Sequence, residues 1–210
     1  VFEGNNKWML SANGTIFTYE YEAIIPGLLK RWYAERQEMQ RKMHECGDNE
    51  IEREYWDKRQ LVKKINLNSL YGAILNPGCR FFDIRIGQSV TLSGRCITKH
   101  MASKVNEIVA GKYDHRGESV VYGDTDSVYF SAYNTLKKEI EQGVIPWTKD
   151  SVVALYDKIS DEVNGSFKTF MTKAFHCPST RGEVIAAGRE LVGSKGLFIT
   201  KKRYAVLYYD

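Results

Sequence analysis

No run of apolar residues in this sequence approaches the roughly 18 that a membrane-crossing helix needs, and the amino-terminal residues lack the pattern of a secretory signal. A soluble protein is the expectation. The four cysteines, Cys46, Cys79, Cys96 and Cys177, stand far apart with no CxxC pair, which argues against a zinc site and against a disulfide scaffold. They read as buried thiols in a reducing, cytoplasmic compartment. Internal repeats and low-complexity tracts are absent too, so a repeat architecture does not fit. Excess charge of one sign is small: 30 basic against 26 acidic residues leave +4. That favours a polyanionic partner but falls short of a protein that coats nucleic acid by charge alone.

What is present is a chain of 210 residues with 43% hydrophobic and 12% aromatic content, enough for a real core and for one or two domains. It opens at Val1 without Met and closes in the strand-like run LFITKKRYAVLYYD, with no turn or cap after it. A piece of a longer polypeptide is therefore expected. Alternation around Ala12-Asn13-Gly14 predicts a short hairpin within 7–23. Pro26 opens a long charged helix through 28–43, and after the break at Gly47-Asp48-Asn49 a second helix runs from Glu50 to about Leu75. A short turn between two long helices makes an antiparallel helical hairpin. A third helix over 89–109 places Val90, Ile97, Met101, Val105 and Ile108 on one side.

The stretch SVVYGDTDSVYF at 119–130 reads as strand, tight turn, strand. Residues 148–175 are amphipathic through Val152, Leu155, Tyr156, Ile159, Val163 and Phe167, and 176–181 form a loop. Strand character returns over 183–210, interrupted by Gly193-Ser194-Lys195-Gly196. The fold class is α+β with a helical protrusion.

Chemistry concentrates at three places. Asp124 and Asp126 flank one residue at the head of the 119–130 hairpin, where they can converge on a divalent cation while Gly123 lets the backbone turn closely. Mg²⁺ suits that supply, being held by one or two carboxylates plus substrate phosphates, whereas the D-x-D-x-D-G pattern of a calcium loop is missing. A merely solvated Asp-x-Asp turn is the plainer alternative. Lys64, Asn68 and Tyr71 fall at i, i+4 and i+7, one helical stripe with Gly72 just beyond. The ammonium and amide can meet a phosphate and the ring can pack on a base, or the stripe is a solvated face. Arg36 on the preceding helix can face the same groove and grip phosphate bidentately. Lys201, Lys202 and Arg203 run into Tyr204 in an alternating strand, with Lys202 and Tyr204 on one face and Lys201 and Arg203 on the other. Such a strand can track a nucleic-acid backbone or guard an exposed sheet edge.

These residues also form ordered motifs. KKINLNSLYG at 63–72, VYGDTDS at 121–127 and KKRY at 201–204 resemble, in order and spacing, the KxxxNSxYG, YGDTDS and KKRY motifs of family B DNA polymerases. RFFDIR at 80–85 and GSKG at 193–196 look most like the T-even-type bacteriophage members. The resemblance implies a polymerase palm, an antiparallel sheet with packed helices over 1–25 and 76–210, and a helical-hairpin fingers subdomain over 26–75. It implies Asp126 and Asp124 as catalytic, metal-binding carboxylates for two Mg²⁺ ions, with Glu190 in GREL as a further palm carboxylate. Arg36, Lys64 and Asn68 would hold the incoming triphosphate, and Tyr71 beside Gly72 would check the nascent base pair. Lys201, Lys202, Arg203 and Tyr204 would contact DNA.

Primer–template DNA, a deoxynucleoside triphosphate (dNTP), and the remaining polymerase domains or a complementary chain are the implied partners, with a sliding clamp as a further candidate. A viral member would work in the host cytoplasm. Two departures stand out. Arg36 is followed four residues later by Gln40 where the family usually has Lys. The upstream DxxSLYP motif, with the family's other metal-binding aspartate, has no match. A non-catalytic nucleotide- and DNA-binding module, or one half of a split polymerase, is the rival expectation.

Overall fold

A computed structural model describes residues 7–209. In chain order the elements are β1 (Trp8–Leu10), β2 (Ile16–Thr18), α1 (Ile24–Glu45), α2 (Glu50–Ile74), α3 (Ile84–Ala110), β3 (Val120–Asp124), β4 (Ser127–Phe130), α4 (Tyr133–Glu141), α5 (Lys149–Phe175), a 3₁₀ turn (Gly182–Val184), β5 (Gly193–Thr200) and β6 (Arg203–Tyr208). The chain divides into two compact units. One joins the described residues up to Ile16 with those from Thr91 on, and the other is Phe17–Val90.

The Phe17–Val90 unit is dominated by the α1–α2 hairpin. Gly47, at φ 53, breaks the first helix, and Asn49 starts the second by accepting from the Glu52 amide at 3.2 Å. Glu50 and Glu52 then complement the positive end of the helix. No residue of α1 is buried, and in α2 only Ile74 is. The helices are therefore joined largely by polar and cation–π contacts: Lys63 pairs with Glu35, Arg36 with Gln60, and Lys42 lies 4.7 Å from the Trp56 ring centre. At the far end Asp83 caps α3, accepting from the Arg85 amide at 2.9 Å. Its two bonds to the Arg85 guanidinium lead the causes that hold its carboxyl at about 2.

In the other unit, α3 and α5 bury Val105, Ile159, Val163 and Phe167 against each other, with Val120 of β3 and Phe130 of β4 packed alongside. Met171, Phe175 and Cys177 make a second cluster, reached by Met9, Cys96 and Phe170. Thr148 starts α5 with a reciprocal capping box to Ser151. The passage from α3 into β3 is steered by Asn106, 1% exposed. Its amide donates to the carbonyls of Ala102 and Asp114 and accepts from the Ser119 amide. A side chain at Gly117 would collide with Asn106, its Cβ falling 2.5 Å from Cγ.

Several expectations need correction. In place of one antiparallel palm sheet, the described residues form three separate two-stranded sheets, β1–β2, β3–β4 and β5–β6. Strand structure begins at Gly193, ten residues later than the strand character read over 183–210 places it, and GSKG lies inside β5 instead of interrupting a strand. Lys201-Lys202 is a hairpin corner, so the alternating strand through 201–204 does not exist. The third helix starts at Ile84, five residues before Ser89, and Val90 is 54% exposed, off the core side. Helix α1 begins two residues before Pro26. Helix α4 went unread. Of the four cysteines only Cys177 is buried; the others are half-buried.

Candidate active site

The first grouping of site residues is built on the β3–β4 hairpin. Tyr122 pairs with Tyr129, Gly123 with Val128 and Asp124 with Ser127, and a bulge at Val121 shifts the register before the corner. Bulges of this kind re-aim neighbouring side chains. The corner is Thr125-Asp126. Its left-handed residue is Thr125, φ 51, not Gly123, where an added Cβ would meet only ordinary contact with the Ser127 carbonyl at 3.5 Å. The Asp126 amide donates back to the Asp124 carbonyl at 2.6 Å, and the Asp124 carboxylate accepts from the Thr125 hydroxyl at 3.1 Å. Asp126 is exposed and Asp124 half-buried.

The Lys201-Lys202 corner of β5–β6 sits against this hairpin. The Lys202 amide donates to the Tyr122 hydroxyl at 2.8 Å, and Lys202 Nζ lies 3.9 Å from Asp124 Oδ2. Below the two corners Tyr122, Tyr129, Phe198 and Tyr204 pack as one aromatic group with ring centres 5.2–5.9 Å apart. The Tyr129 and Tyr204 hydroxyls meet at 3.0 Å. That bond, then burial, pushes the Tyr129 phenol up to about 12. The structure thus brings Asp124, Asp126, Lys202 and Tyr204 together.

Lys201 and Arg203 flank the basic corner and are exposed. Glu190 and Asp126 line the same cavity of about 600 Å³, whose floor includes Val105 and Val163. Among the described residues no group of three or more His, Cys, Asp or Glu side chains is placed to share one ion, Glu190 included. The aromatic partners Tyr122, Tyr129 and Phe198 were missed from the sequence. Tyr122 and Tyr129 flank the acidic turn in the sequence, whereas Phe198 comes from a distant strand and leaves no local signal.

The second grouping lies in the helical hairpin. Gln60, Lys64, Asn68 and Tyr71 follow one another along a stripe of α2, and Arg36 of α1 donates to Gln60 at 3.2 Å. Arg36 therefore does reach that stripe. Lys64 and Asn68 are exposed and Tyr71 half-buried, its hydroxyl donating to the Gly87 carbonyl at 3.2 Å. Gly87 has no room for a side chain, since its Cβ would fall 1.9 Å from the Leu75 side chain. Gly72 faces open space.

A model of DNA polymerase family B matches residues 5–173. This chain belongs to that family. The matched residues hold the helical grouping and the β3–β4 hairpin, whereas Glu190, Phe198 and the KKRY corner lie beyond them. The family B chain is 30% identical over 161 residues to the DNA-directed DNA polymerase of Escherichia phage RB69, covering 72% of this chain and 18% of that protein. Over 163 residues it is 29% identical to the DNA-directed DNA polymerase of Enterobacteria phage T4, covering 72% and 18%. A DNA polymerase of Pyrococcus glycovorans is 30% identical over 192 residues, 90% of this chain and 24% of that protein. The likeness to T-even-type phage polymerases expected from RFFDIR and GSKG agrees with these two phage relatives, each matched over 72% of the chain. The family B chain spans between 18% and 24% of the length of these relatives.

Proposed function

We propose that this chain is the nucleotide-handling part of a template-directed DNA polymerase. A primer 3′-hydroxyl attacks the α-phosphate of a dNTP, and pyrophosphate leaves. The observation that carries this reading is the meeting of the acidic and basic corners, with the Lys202 amide on Tyr122 and its ammonium beside Asp124. A carboxylate pair next to a lysine pair suits a metal-bound triphosphate on one side and a nucleic-acid backbone on the other.

Asp124 and Asp126 are hard oxygen donors on adjoining backbone, and this set fits Mg²⁺, which takes few carboxylates and completes its shell with water and phosphate oxygens. Bound there, Mg²⁺ supplies charge neutralisation and activation of the attacking oxygen. The remaining work falls to side chains. Lys64 and Asn68, exposed on one stripe, supply donors for the triphosphate, and Arg36, steadied by Gln60, keeps two guanidinium nitrogens for phosphate oxygens. Tyr71, fixed by the Gly87 carbonyl, offers its ring to the nascent base pair, with Gly72 leaving space beside it. Lys201, Lys202 and Arg203 contact the primer–template duplex, and Tyr204 holds their corner through Tyr129. In this reading 26–75 are fingers, while 1–25 and 76–210 belong to the palm.

In a polymerase that carries this segment, Asp126→Ala leaves primer–template affinity intact and abolishes extension; extension at the parent rate would falsify the role given to Asp126. The donor count favours a second reading, a nucleotide- and DNA-binding module or one half of a split polymerase, because two carboxylates on one turn hold a cation weakly. Binding of primer–template without extension by these 210 residues supports that version, and extension by them alone removes it.

A further inference from the structure

We infer that Thr98, on α3, is a positioning residue for the acidic corner. The inference rests on the reading above, in which Asp124 and Asp126 hold the metal. The corner is a two-residue hairpin loop whose first residue, Thr125, has φ 51. Loops of that kind reserve a left-handed position for glycine or asparagine, because a β-branched side chain crowds its own backbone there. Such strain persists only where the surroundings over-determine it.

Three bonds inside the hairpin tighten the corner. The Asp126 amide and the Ser127 hydroxyl both donate to the Asp124 carbonyl, at 2.6 Å and 3.1 Å, and the Thr125 hydroxyl donates to the Asp124 carboxylate at 3.1 Å. None of these holds the peptide between Thr125 and Asp126 from outside. Thr98 does so: its hydroxyl lies 2.9 Å from the Thr125 carbonyl, across a separation of 27 residues. The same hydroxyl is 3.1 Å from the Gly94 carbonyl one helical turn back. One proton serves two acceptors, and the shorter contact goes to the corner.

That carbonyl shares its plane with the Asp126 amide, so pinning it fixes the direction in which Asp126 leaves the corner. Without the grip the plane can turn about ψ of Thr125 and φ of Asp126, the strained Thr125 backbone can relax by swinging its carbonyl off Thr98, and the Asp126 carboxylate moves relative to Asp124. The anchor is firm. Ile97 and Met101, to either side of Thr98 on α3, pack on the cluster of Val105, Ile159, Val163 and Phe167. Thr98 touches no substrate in this scheme and acts only through the turn.

The test compares Thr98→Val, which keeps the shape and loses the hydroxyl, with Thr98→Ser, which keeps the hydroxyl. In the chain of 210 residues, amide hydrogen exchange of Asp126 and Mn²⁺-induced broadening of the 124–126 amide signals are measured by NMR. Loss of one net hydrogen bond raises the Asp126 exchange rate, and the Mn²⁺ concentration needed for half-broadening, by about five- to tenfold. The melting temperature falls by no more than about 2–4 °C, and Ser restores both readouts. A Val variant indistinguishable from the parent, or a Ser variant that fails to restore, overturns the inference.

If the parent corner ignores Mn²⁺ altogether, the metal reading falls while the exchange ratio still decides on Thr98. Thr125→Gly supplies a second arm, since it removes the strain that the grip opposes. In that background Thr98→Val has little effect, and an equal effect in both backgrounds counts against the grip. A Thr98→Val chain that does not fold supports the inference only if Thr125→Gly restores folding, and opposes it otherwise.

Discussion

A phenol that is hydrogen-bonded to a second phenol, half-buried, and close to a carboxylate gives up its proton late. Tyr129 is in that position, pushed up to about 12 by its bond to Tyr204, then by burial, with Tyr204, Glu190 and Tyr122 adding to it. In an alkaline spectrophotometric titration at least one tyrosine should ionise about two pH units after the ordinary phenols near 10. Tyr204→Phe should return it to the main group; a parent protein whose tyrosines all ionise together contradicts the pairing. At this scale the sequence was legible where motifs were compact. Asp124, Asp126, Lys202 and Tyr204 stand out in short runs. Their partners do not, because the Tyr129–Tyr204 and Lys202–Tyr122 bonds span 75 and 80 residues and leave no local periodic trace.

Among the elements, the long helices followed from apolar spacing and from breaks such as Gly47 and Asn49, whereas the strands of 183–192 did not materialise. The physical reason lies in α5. Asn164 accepts from the Ala187 amide and donates to the Ala187 carbonyl, both at 2.8 Å, so a side chain takes the bonds that a neighbouring strand would have used. Asn106 plays a comparable part where α3 passes into β3. Asn106→Ala strands the Ser119 amide and the Asp114 carbonyl, a loss of about 2–4 kcal/mol given the usual cost of unpaired buried groups. The midpoint of urea unfolding reads it, and a shift near zero would show that the passage is held by something else. Helix α4 was unread because it is only nine residues long and lacks the extended apolar stripe of its neighbours.

For the molecule as a whole, three ordered motifs gave the family, which the match over 5–173 shows. The division into three small sheets was not legible, since register between distant strands has no signature in one sequence. A whole-chain property follows from His100, 7% exposed. Ser166 spends its hydroxyl proton on the Val163 carbonyl, so it accepts from His100 Nε2, leaving Nδ1 to accept from the Tyr113 hydroxyl at 2.7 Å. The ring is stacked on Phe170, and burial, followed by Lys104, lowers its pKa.

Here the unfolded chain binds the proton more readily, with a pKa of about 6.5, so stability is full above that value and declines as pH falls toward the lowered folded value. Calorimetry between about pH 7.5 and 5 should show a falling melting temperature that flattens in His100→Asn; a parent curve flat over that range excludes the mechanism. The two adjoining corners carry a last implication. Thr125 and Lys202, at φ 51 and 63, occupy backbone that glycine or asparagine tolerates better. Evolution in the laboratory for heat tolerance alone would therefore rewrite these two codons early, whereas the proposed DNA contact gives a lineage screened for DNA synthesis reason to keep the lysine.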